Sequence, residues 1–300
     1  MNRNILHIDS VGDYNRLLGV GTLHPLVSVV DFSTLSPMRH ARCLYNVYAV
    51  FLKDALCGEM LYGRQRYDYA EGTVVCVAPG QVLGVDGDDR LYEPKGWALV
   101  FHPDFIRGTA LGRNIREYTF FSYEANEALH LSEQEHTIVV DCMQHIRREM
   151  EHATDRHSRR LITVHIETLL DYCLRFYERQ FVTRRQSCHD TLSRFEALLD
   201  DYFTSGRAMR EGLPTVKHFA GELCLSANYF GDLIKKETGK SAKEFIQLKL
   251  IGAAKDRLLD PQKNISTVAY ELGFQYPQHM ARLFKKLTGM APNVYRRQEG

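Results

Sequence analysis

Short apolar runs separated by polar clusters dominate about the first hundred residues. Four of them, at residues 26–32, 44–52, 72–78 and 97–102, are rich in Val, Leu and aromatic residues. Such runs predict strands, and clusters such as Pro79-Gly80 predict the turns between them. Many short strands joined by polar turns are typical of a sandwich or a barrel.

A helical period replaces this pattern after residue 131, and proline is absent from there until Pro214. Ser132 and Glu135 form a capping box at the start of a predicted helix. Its apolar residues fall at steps of four: Ile138, Cys142, Ile146 and Met150. A second helix is predicted over residues 158–180, with one apolar face on Leu161, His165, Leu169 and Cys173. This wide face fits burial against the strands or a helix-to-helix dimer contact, and both interpretations stay open.

An internal repeat near the C-terminus is the most informative feature. Residues 229–239 are matched by residues 279–289, with Leu, Lys-Lys and Thr-Gly recurring in register. A short apolar helix around a small residue, Ala220 or Ala269, precedes each copy. A helix, a tight turn and an amphipathic helix make a helix-turn-helix, so two such units are predicted.

The turns and the connection between the copies refine this prediction. Gly273 fits the left-handed turn of the second unit, whereas Cys224 takes the equivalent place in the first. Residues 241–259 predict a helix of 19 residues, about 28 Å long. Successive major-groove faces on one side of B-DNA lie roughly 34 Å apart. The spacing therefore suits one chain that contacts two adjacent major grooves.

Charge and cysteine content change the picture only slightly. Residues 190–300 carry 17 Lys and Arg against 13 Asp and Glu, whereas residues 1–189 carry 21 against 24. A basic C-terminal region suits a nucleic-acid partner. The seven cysteines form no Cys-x-x-Cys pair, so we expect reduced and mostly buried thiols. No long apolar run or signal-peptide pattern occurs, so we expect no membrane partner and a cytoplasmic location.

The C-terminal motifs resemble the AraC/XylS family of regulators. The resemblance covers about residues 191–297 and rests on residues 265–274, Phe284-Lys285-Lys286 and residues 289–296. Lys249 and Met280 depart from the family pattern, which commonly has an arginine and an aromatic residue there. For the front region, the resemblance to the family's cupin-like effector domain is much less specific.

The fold class expected from these features is α+β, multidomain. We expect a cupin-like β-barrel or jelly roll over residues 1–130 and a helical dimerisation and linker region over residues 131–186, with residues 183–187 as the linker itself. An all-α DNA-binding domain over residues 187–300 would carry two helix-turn-helix units joined by a long helix.

Exposed side chains near the start of each second helix are the candidates for DNA contact, because bases are recognised there. Phe230, Leu233 and Ile234 are expected in the core of the first unit, and Met280, Leu283 and Phe284 in that of the second. The candidate base-contacting residues are Ala227, Asn228, Gly231, Asp232, Gln275, Gln278, His279, Ala281 and Arg282. By the family's pattern, Gln278 and Arg282 lead this set. The candidate phosphate-contacting residues are Ser226, Lys235, Lys236, Lys285, Lys286 and Arg296.

The resemblance implies a transcription regulator that binds double-stranded DNA, RNA polymerase and a second copy of itself, and more often activates than represses. It also implies a small-molecule effector, for which the aromatic and basic residues 62–69 are one candidate pocket and an exposed hairpin is the alternative reading. A regulator without an effector, controlled by expression or a protein partner, stays open. A metal-dependent cupin enzyme would need a His-x-His pair. His24, His40 and His102 are isolated, so we expect no catalytic residues, no metal and no cofactor.

Overall fold

The computed structural model describes residues 5–39, 41–54, 72–84, 91–123, 127–152, 155, 157–183 and 185–299, with the backbone alone at 182, 183, 185–189 and 299. Internal contacts divide the chain into two compact units, Met1–Thr183 and Arg184–Gly300. The first unit contains strands and helices, and the second contains helices. The α+β, multidomain fold class predicted from the sequence is confirmed.

The first unit begins with strands and ends with two long helices. The described strands are β1 (Leu6–Ile8), β2 (Val27–Asp31), β3 (Met38–Arg39), β4 (Arg42–Tyr45), β5 (Tyr48–Lys53), β6 (Thr73–Val77), β7 (Gln81–Gly84), β8 (Leu91–Tyr92), β9 (Gly96–Phe101) and β10 (Leu129–His130). The described helices are α1 (Val11–Leu18), α2 (Pro103–Ile106), α3 (Ala110–Asn114), α4 (Glu133–Glu151) and α5 (Ser158–Thr183).

The described strands pair into three sheets. Five strands form an antiparallel sheet in the order β10-β6-β5-β9-β2, three form a sheet in the order β1-β4-β7, and β3 pairs with β8. Alternate residues of the larger sheet, such as Phe51 and Val100, share a hydrophobic cluster with Cys43 and Leu83 of the smaller sheet and with Tyr14 of α1. Burial of this cluster holds the two sheets together.

Two features of the strand region were not predicted correctly. Residues 44–52 form parts of two strands in different sheets instead of one strand, because the chain turns at Asn46 and Val47 between β4 and β5. Helix α1 was not predicted either. Ser10 and Asp13 form a capping box at its start, and Gly19 ends it with a φ of 70°.

Helix α4 begins at the predicted capping box, where the Ser132 side chain accepts from the Glu135 amide. The predicted apolar face was wrong by about one position. Only Ile146 of the predicted set is buried, and Val139 and Met143 complete the buried face. Such a face follows the packing of α4 against α5, β2 and β9 and not the simple step of four.

Helix α5 buries Leu169 and Cys173 as predicted, whereas Leu161 is exposed. The Arg179 guanidinium donates two hydrogen bonds to the Glu135 carboxylate at 2.7 and 2.8 Å, and so joins α5 to α4. Burial raises the pKa of the Cys173 thiol to about 12. Cys43, Cys76 and Cys173 are buried as expected, but Cys224 is exposed. The side chains of Cys57 and Cys188 lie outside the described residues.

The second unit is described as eight helices. These are α6 (Arg185–Thr204), α7 (Arg207–Glu211), α8 (Val216–Glu222), α9 (Ala227–Thr238), α10 (Ala242–Leu258), α11 (Ile265–Glu271), α12 (Pro277–Thr288) and α13 (Pro292–Glu299). The boundary between the two units falls within the linker predicted over residues 183–187, and α6 already begins at Arg185. Buried aromatic rings pack the helices of the second unit against one another. The ring centroids of Phe195 on α6 and Phe230 on α9 lie 4.9 Å apart.

Among the described helices, none combines the length and the apolar character needed to cross a membrane. Residues 62–69, which were predicted as one candidate for the effector pocket, lie outside the described part of the chain.

Candidate nucleic-acid interface

Two helix-turn-helix units lie within the C-terminal compact region, Arg184–Gly300, as the repeat predicts. The first unit and the second unit of this region mean these two helix-turn-helix units. The first pairs α8 with α9, and the second pairs α11 with α12. Ala220 and Ala269 are buried in the first helix of each pair, which allows the helices to cross closely. Helix α10 joins the two pairs through 17 residues, a length of about 26 Å.

The two turns use left-handed backbone at corresponding positions. Cys224 has a φ of 58° and is the one residue other than glycine with a positive φ in the described chain, whereas Gly273 has a φ of 87°. The sequence predicted this difference between the turns. The second turn is also longer, since four residues separate α8 from α9 and five separate α11 from α12.

The α9 face presents mostly short side chains. Asn228 is exposed, whereas Ala227, Gly231 and Asp232 are partly buried. The Ser226 hydroxyl accepts from the Tyr229 amide at 3.2 Å and caps the helix. Ser226 therefore serves the helix itself, whatever it contacts besides. Lys235 and Lys236 are exposed in the last turn. Phe230, Leu233 and Ile234 are buried as predicted.

The α12 face presents longer polar side chains. Gln275, Gln278, His279 and Arg282 are exposed, and Ala281 is partly buried between them. Met280 and Phe284 are fully buried as predicted, whereas Leu283 is half-buried. Pro277 occupies the first turn, where its missing amide proton has no helical partner to lose. Lys285 and Lys286 are exposed in the last turn, in the same places as Lys235 and Lys236 of α9.

Arg296 differs from the other predicted phosphate contacts. Its Nε donates to the Leu258 carbonyl oxygen at 2.8 Å, and its Nη2 is buried. The side chain therefore fastens α13 to the C-terminal end of α10, where a cation also satisfies the helix dipole. This placement argues against a phosphate contact, because the guanidinium is directed into the unit.

Charged side chains also fix the helices that carry the interface. Ser241 and Glu244 form a capping box at the start of α10, and the hydrogen bond from the Ser241 amide lowers the pKa of the Glu244 carboxyl. Lys249 of α10 lies 3.5 Å from Glu196 of α6, so this departure from the family pattern keeps a cation in place. The Lys263 ammonium lies 2.8 Å from Glu271 and braces α11.

Tyr276 was not selected from the sequence as a contact residue. It occupies the N-cap of α12, its side chain is 54% exposed, and it makes no capping hydrogen bond. Comparison of the two copies could have found it, because Ser226 caps α9 at the corresponding position. The exposed Gln275 before it is the additional residue of the longer turn.

The isolated histidines of the first unit have local roles. The His24 Nδ1 accepts from the Leu26 amide at 3.1 Å. The His102 Nδ1 accepts from the Asp104 amide at 3.2 Å and caps α2. His40 lies outside the described residues. Within the described chain, no group of three or more His, Cys, Asp or Glu residues is arranged to hold a metal ion.

A family model described as a helix-turn-helix domain matches residues 219–298. The chain is 32% identical over 80 residues to an uncharacterized transcriptional regulatory protein, YesN, of Bacillus subtilis (strain 168), a match that covers 26% of this chain and 22% of YesN. It is 37% identical over 68 residues to the uncharacterized HTH-type transcriptional regulator YobQ of the same organism, covering 23% of this chain and 28% of YobQ. The matched segments thus span less than a third of these relatives.

Solved structures of low sequence identity are also similar to parts or most of this chain. The C-terminal domain of the response regulator yesN from Fusobacterium nucleatum is 21% identical with a TM-score of 0.32, covering 36% of this chain and 98% of that one. ToxT from Vibrio cholerae is 13% identical with a TM-score of 0.30, covering 90% of this chain and 97% of that one.

Proposed function

We propose that this chain, whose residues 219–298 form an AraC-type helix-turn-helix domain, is a sequence-specific DNA-binding transcription regulator. The domain match confirms the resemblance to the AraC/XylS family that the C-terminal motifs indicate. The relatives named above are described as transcriptional regulators, and we place this chain with them and not with metal-dependent enzymes.

One observation carries the proposal: two helix-turn-helix units lie on one scaffold, and each ends its second helix with a pair of exposed lysines. Two cations at the same place in both copies are not needed to pack the helices. They suit phosphates on either side of a groove, because DNA contacts are mostly made to the backbone.

The two units are proposed to enter two adjacent major grooves. Helix α10 places them a fixed distance apart, and its length of about 26 Å is somewhat less than one turn of B-DNA. A rigid connection of this kind favours two contact blocks on one side of the duplex.

Selection of genomic DNA fragments by the purified full chain, at a stated salt concentration, tests the proposal. We expect a motif with two contact blocks about one helical turn, or 10–10.5 base pairs, apart. The matched control is Arg210→Ala, which removes an exposed cation of α7 and should leave the motif unchanged. Binding that ignores sequence, or no binding, would contradict the proposal.

Control by a small-molecule effector is proposed for the first unit. A cavity of about 140 Å³ lies between α1 and the strands, lined by Tyr14, Tyr45, Phe51 and other apolar residues, with Arg39 and Lys53 also on its wall. Its apolar lining suits an apolar ligand about the size of benzene, since an apolar cavity of about 150 Å³ can hold one. Burial raises the pKa of both the Tyr14 and Tyr45 hydroxyls, so these groups remain neutral donors.

Thermal unfolding of the full chain with a panel of metabolites tests effector binding. A ligand at a hundred times its dissociation constant adds about 2.7 kcal/mol to the stability of the native state. Leu83→Phe, which fills the cavity, should abolish the shift while leaving the unliganded chain folded. If no compound in a broad panel shifts the transition, control by expression or by a protein partner becomes the better account.

Dimer formation through α5 is proposed on the exposure of two apolar residues. Leu161 and Val164, three residues apart on one helix face, are 44% and 48% exposed. Sedimentation at micromolar concentration should show a dimer, and Leu161→Asp should weaken it. A monomer with and without DNA would contradict this part of the proposal.

Activation of transcription, with contact to RNA polymerase in the cytoplasm, completes the proposal. It follows the family resemblance and not a particular surface of this chain. Transcription from a promoter that carries the selected motif, assayed with purified polymerase, should rise when the protein is added, and a fall would identify a repressor.

A further inference from the structure

The N-cap of α12 carries an aromatic side chain in place of a capping group. Ser, Thr, Asp and Asn are preferred there because their side chains accept from the first free amides of the helix. Ser226 does so at the start of α9, but Tyr276 makes no such hydrogen bond. The second unit therefore lacks a stabilising contact that the first unit has.

The conformation of Tyr276 is set by its neighbour. A residue before proline is restricted to extended backbone, and Tyr276 has φ −131° and ψ 121° before Pro277. The aromatic ring makes an edge contact with His279, whose ring centroid lies 5.4 Å away at an interplanar angle of 70°. Even so, 54% of the side chain stays exposed. In the described chain no hydrogen bond of the Tyr276 hydroxyl is found.

The surroundings of Tyr276 are the side chains proposed to contact bases. Gln275 precedes it, and Gln278 and His279 follow in the first turn of α12, all exposed. In helix-turn-helix proteins the N-terminal residues of the second helix reach the base edges. A large apolar ring held at this place is suited to the one apolar group of the major-groove edge, the 5-methyl of thymine.

We propose that Tyr276 is a specificity-determining residue, which packs its ring, positioned by His279, against the methyl group of a thymine in the contact block of the second unit. The inference rests on the proposed function, since it presupposes that α12 enters the major groove. It adds a contact residue that neither the repeat pattern nor the family pattern selected.

Replacement of each thymine in the selected site by deoxyuridine, one at a time, tests the inference on the full chain. The replacement removes only the methyl group and keeps base pairing. We expect one position at which the wild-type chain loses about tenfold in affinity, near the lower limit for a changed base pair. Tyr276→Ser should lose a similar factor on the thymine site and become indifferent to deoxyuridine at that position.

Three variants make the outcome decisive. Tyr276→Ser should fold at least as well as wild type by circular dichroism. A serine at the N-cap of α12 can accept a hydrogen bond from a helix amide, as Ser226 does at the N-cap of α9. Tyr276→Phe should keep the methyl dependence, since the ring remains. Tyr270→Ser removes another exposed tyrosine, on α11, and should leave the methyl dependence unchanged.

Each other result overturns the inference. A Tyr276→Ser chain that binds and responds to deoxyuridine like wild type shows that the ring makes no methyl contact, while the proposed function stands. An equal loss with Tyr276→Phe on every sequence shows a hydroxyl contact with phosphate instead. If the wild-type chain selects no motif at all, the proposed function and this inference fail together.

Discussion

The two helix-turn-helix units repeat one framework but close their turns differently. In the first unit Cys224 is exposed at the turn. In the second unit α7 and the residue that follows it lie directly over Gly273, and a Cβ atom there would lie 2.6 Å from both the Ala208 carbonyl oxygen and the Gly212 carbonyl carbon. The first turn therefore demands only a backbone conformation, whereas the second also demands the absence of a side chain.

The exposed faces of the units differ in the same direction. Helix α9 presents Gly231, where a Cβ would meet nothing within 4 Å, and only Asn228 is fully exposed near its start. Helix α12 presents Gln278 and Arg282, whose side chains can hydrogen-bond in pairs to adenine and guanine. We infer that the first unit mainly positions the protein and that the second supplies most of the sequence preference.

The largest expected effect is at Gly273, in the turn of the second helix-turn-helix unit, which is called the closed turn because backbone atoms cover it. Gly273→Ala should lower the free energy of unfolding by about 2–4 kcal/mol, because it combines a left-handed residue with overpacking. Both neighbours are backbone atoms and cannot turn aside as the end of a long side chain would. Urea unfolding of the full chain, followed with a probe in the second unit, measures the change.

Gly239→Ala provides the control for this prediction. Gly239 also has a positive φ, of 70°, but a Cβ there would meet nothing within 4 Å. Its cost should therefore be the conformational part alone, about 1–2 kcal/mol. Equal losses for the two variants would show that the contact with the α7 segment does not constrain the second turn.

The next effect concerns DNA affinity. Arg282→Ala should weaken binding to the selected site by about 1–3 kcal/mol and relax one base preference. Asn228→Ala should cost less, since few other side chains of α9 would support its contact. Titration of labelled sites, with every base substituted in each block, compares the two variants.

Two results would contradict the unequal roles of the units. A uniform loss on all sequences for Arg282→Ala would make this residue a phosphate contact. A larger loss of specificity for Asn228→Ala than for Arg282→Ala would reverse the assignment, and would imply that the short side chains of α9 allow a closer approach to the bases.

The repeat predicted the helical framework of residues 185–299 well because its signals are local. Gly273 at a left-handed turn was predicted from such a signal. The caps Ser226 and Ser241 and the first-turn Pro277, which the structure shows, also act within one helical turn of themselves. The buried positions followed from the helical period, since Phe230 and Phe284 lie in cores.

The errors arose where distant segments decide the structure. The buried face of α4 depends on α5 and on the strands that it packs against, and a period of four cannot show which face meets them. Arg296 looked like a free cation in sequence, but its partner, the Leu258 carbonyl, lies 38 residues earlier in the chain. Tyr276 was not selected because the two copies were not compared at the N-cap, where Ser226 stands in the first copy, and its exposure depends on how the side chains around it pack.

The smallest expected effect is at Cys224, in the turn of the first helix-turn-helix unit, which is called the open turn because this residue is exposed. Cys224→Gly should raise the free energy of unfolding by about 0.5–1 kcal/mol, because glycine removes the left-handed penalty of 1–2 kcal/mol but loses more backbone freedom on folding. Cys224→Ala keeps the penalty and removes the thiol, so it should leave stability nearly unchanged. Urea unfolding of both variants, with the reducing agent held constant, separates backbone conformation from thiol chemistry.

The pair of variants also tests whether the turns are equivalent apart from packing. If the Cys224 backbone is as strained as its φ of 58° implies, replacing it by glycine should raise stability. The first turn would then have glycine at the left-handed position, as the second turn does, but no backbone covering it. A loss of stability for Cys224→Gly would mean that the cysteine side chain makes a favourable contact at the surface of the first unit. The open turn would then be held by its side chain, and the contrast between the two units would rest on their exposed faces alone.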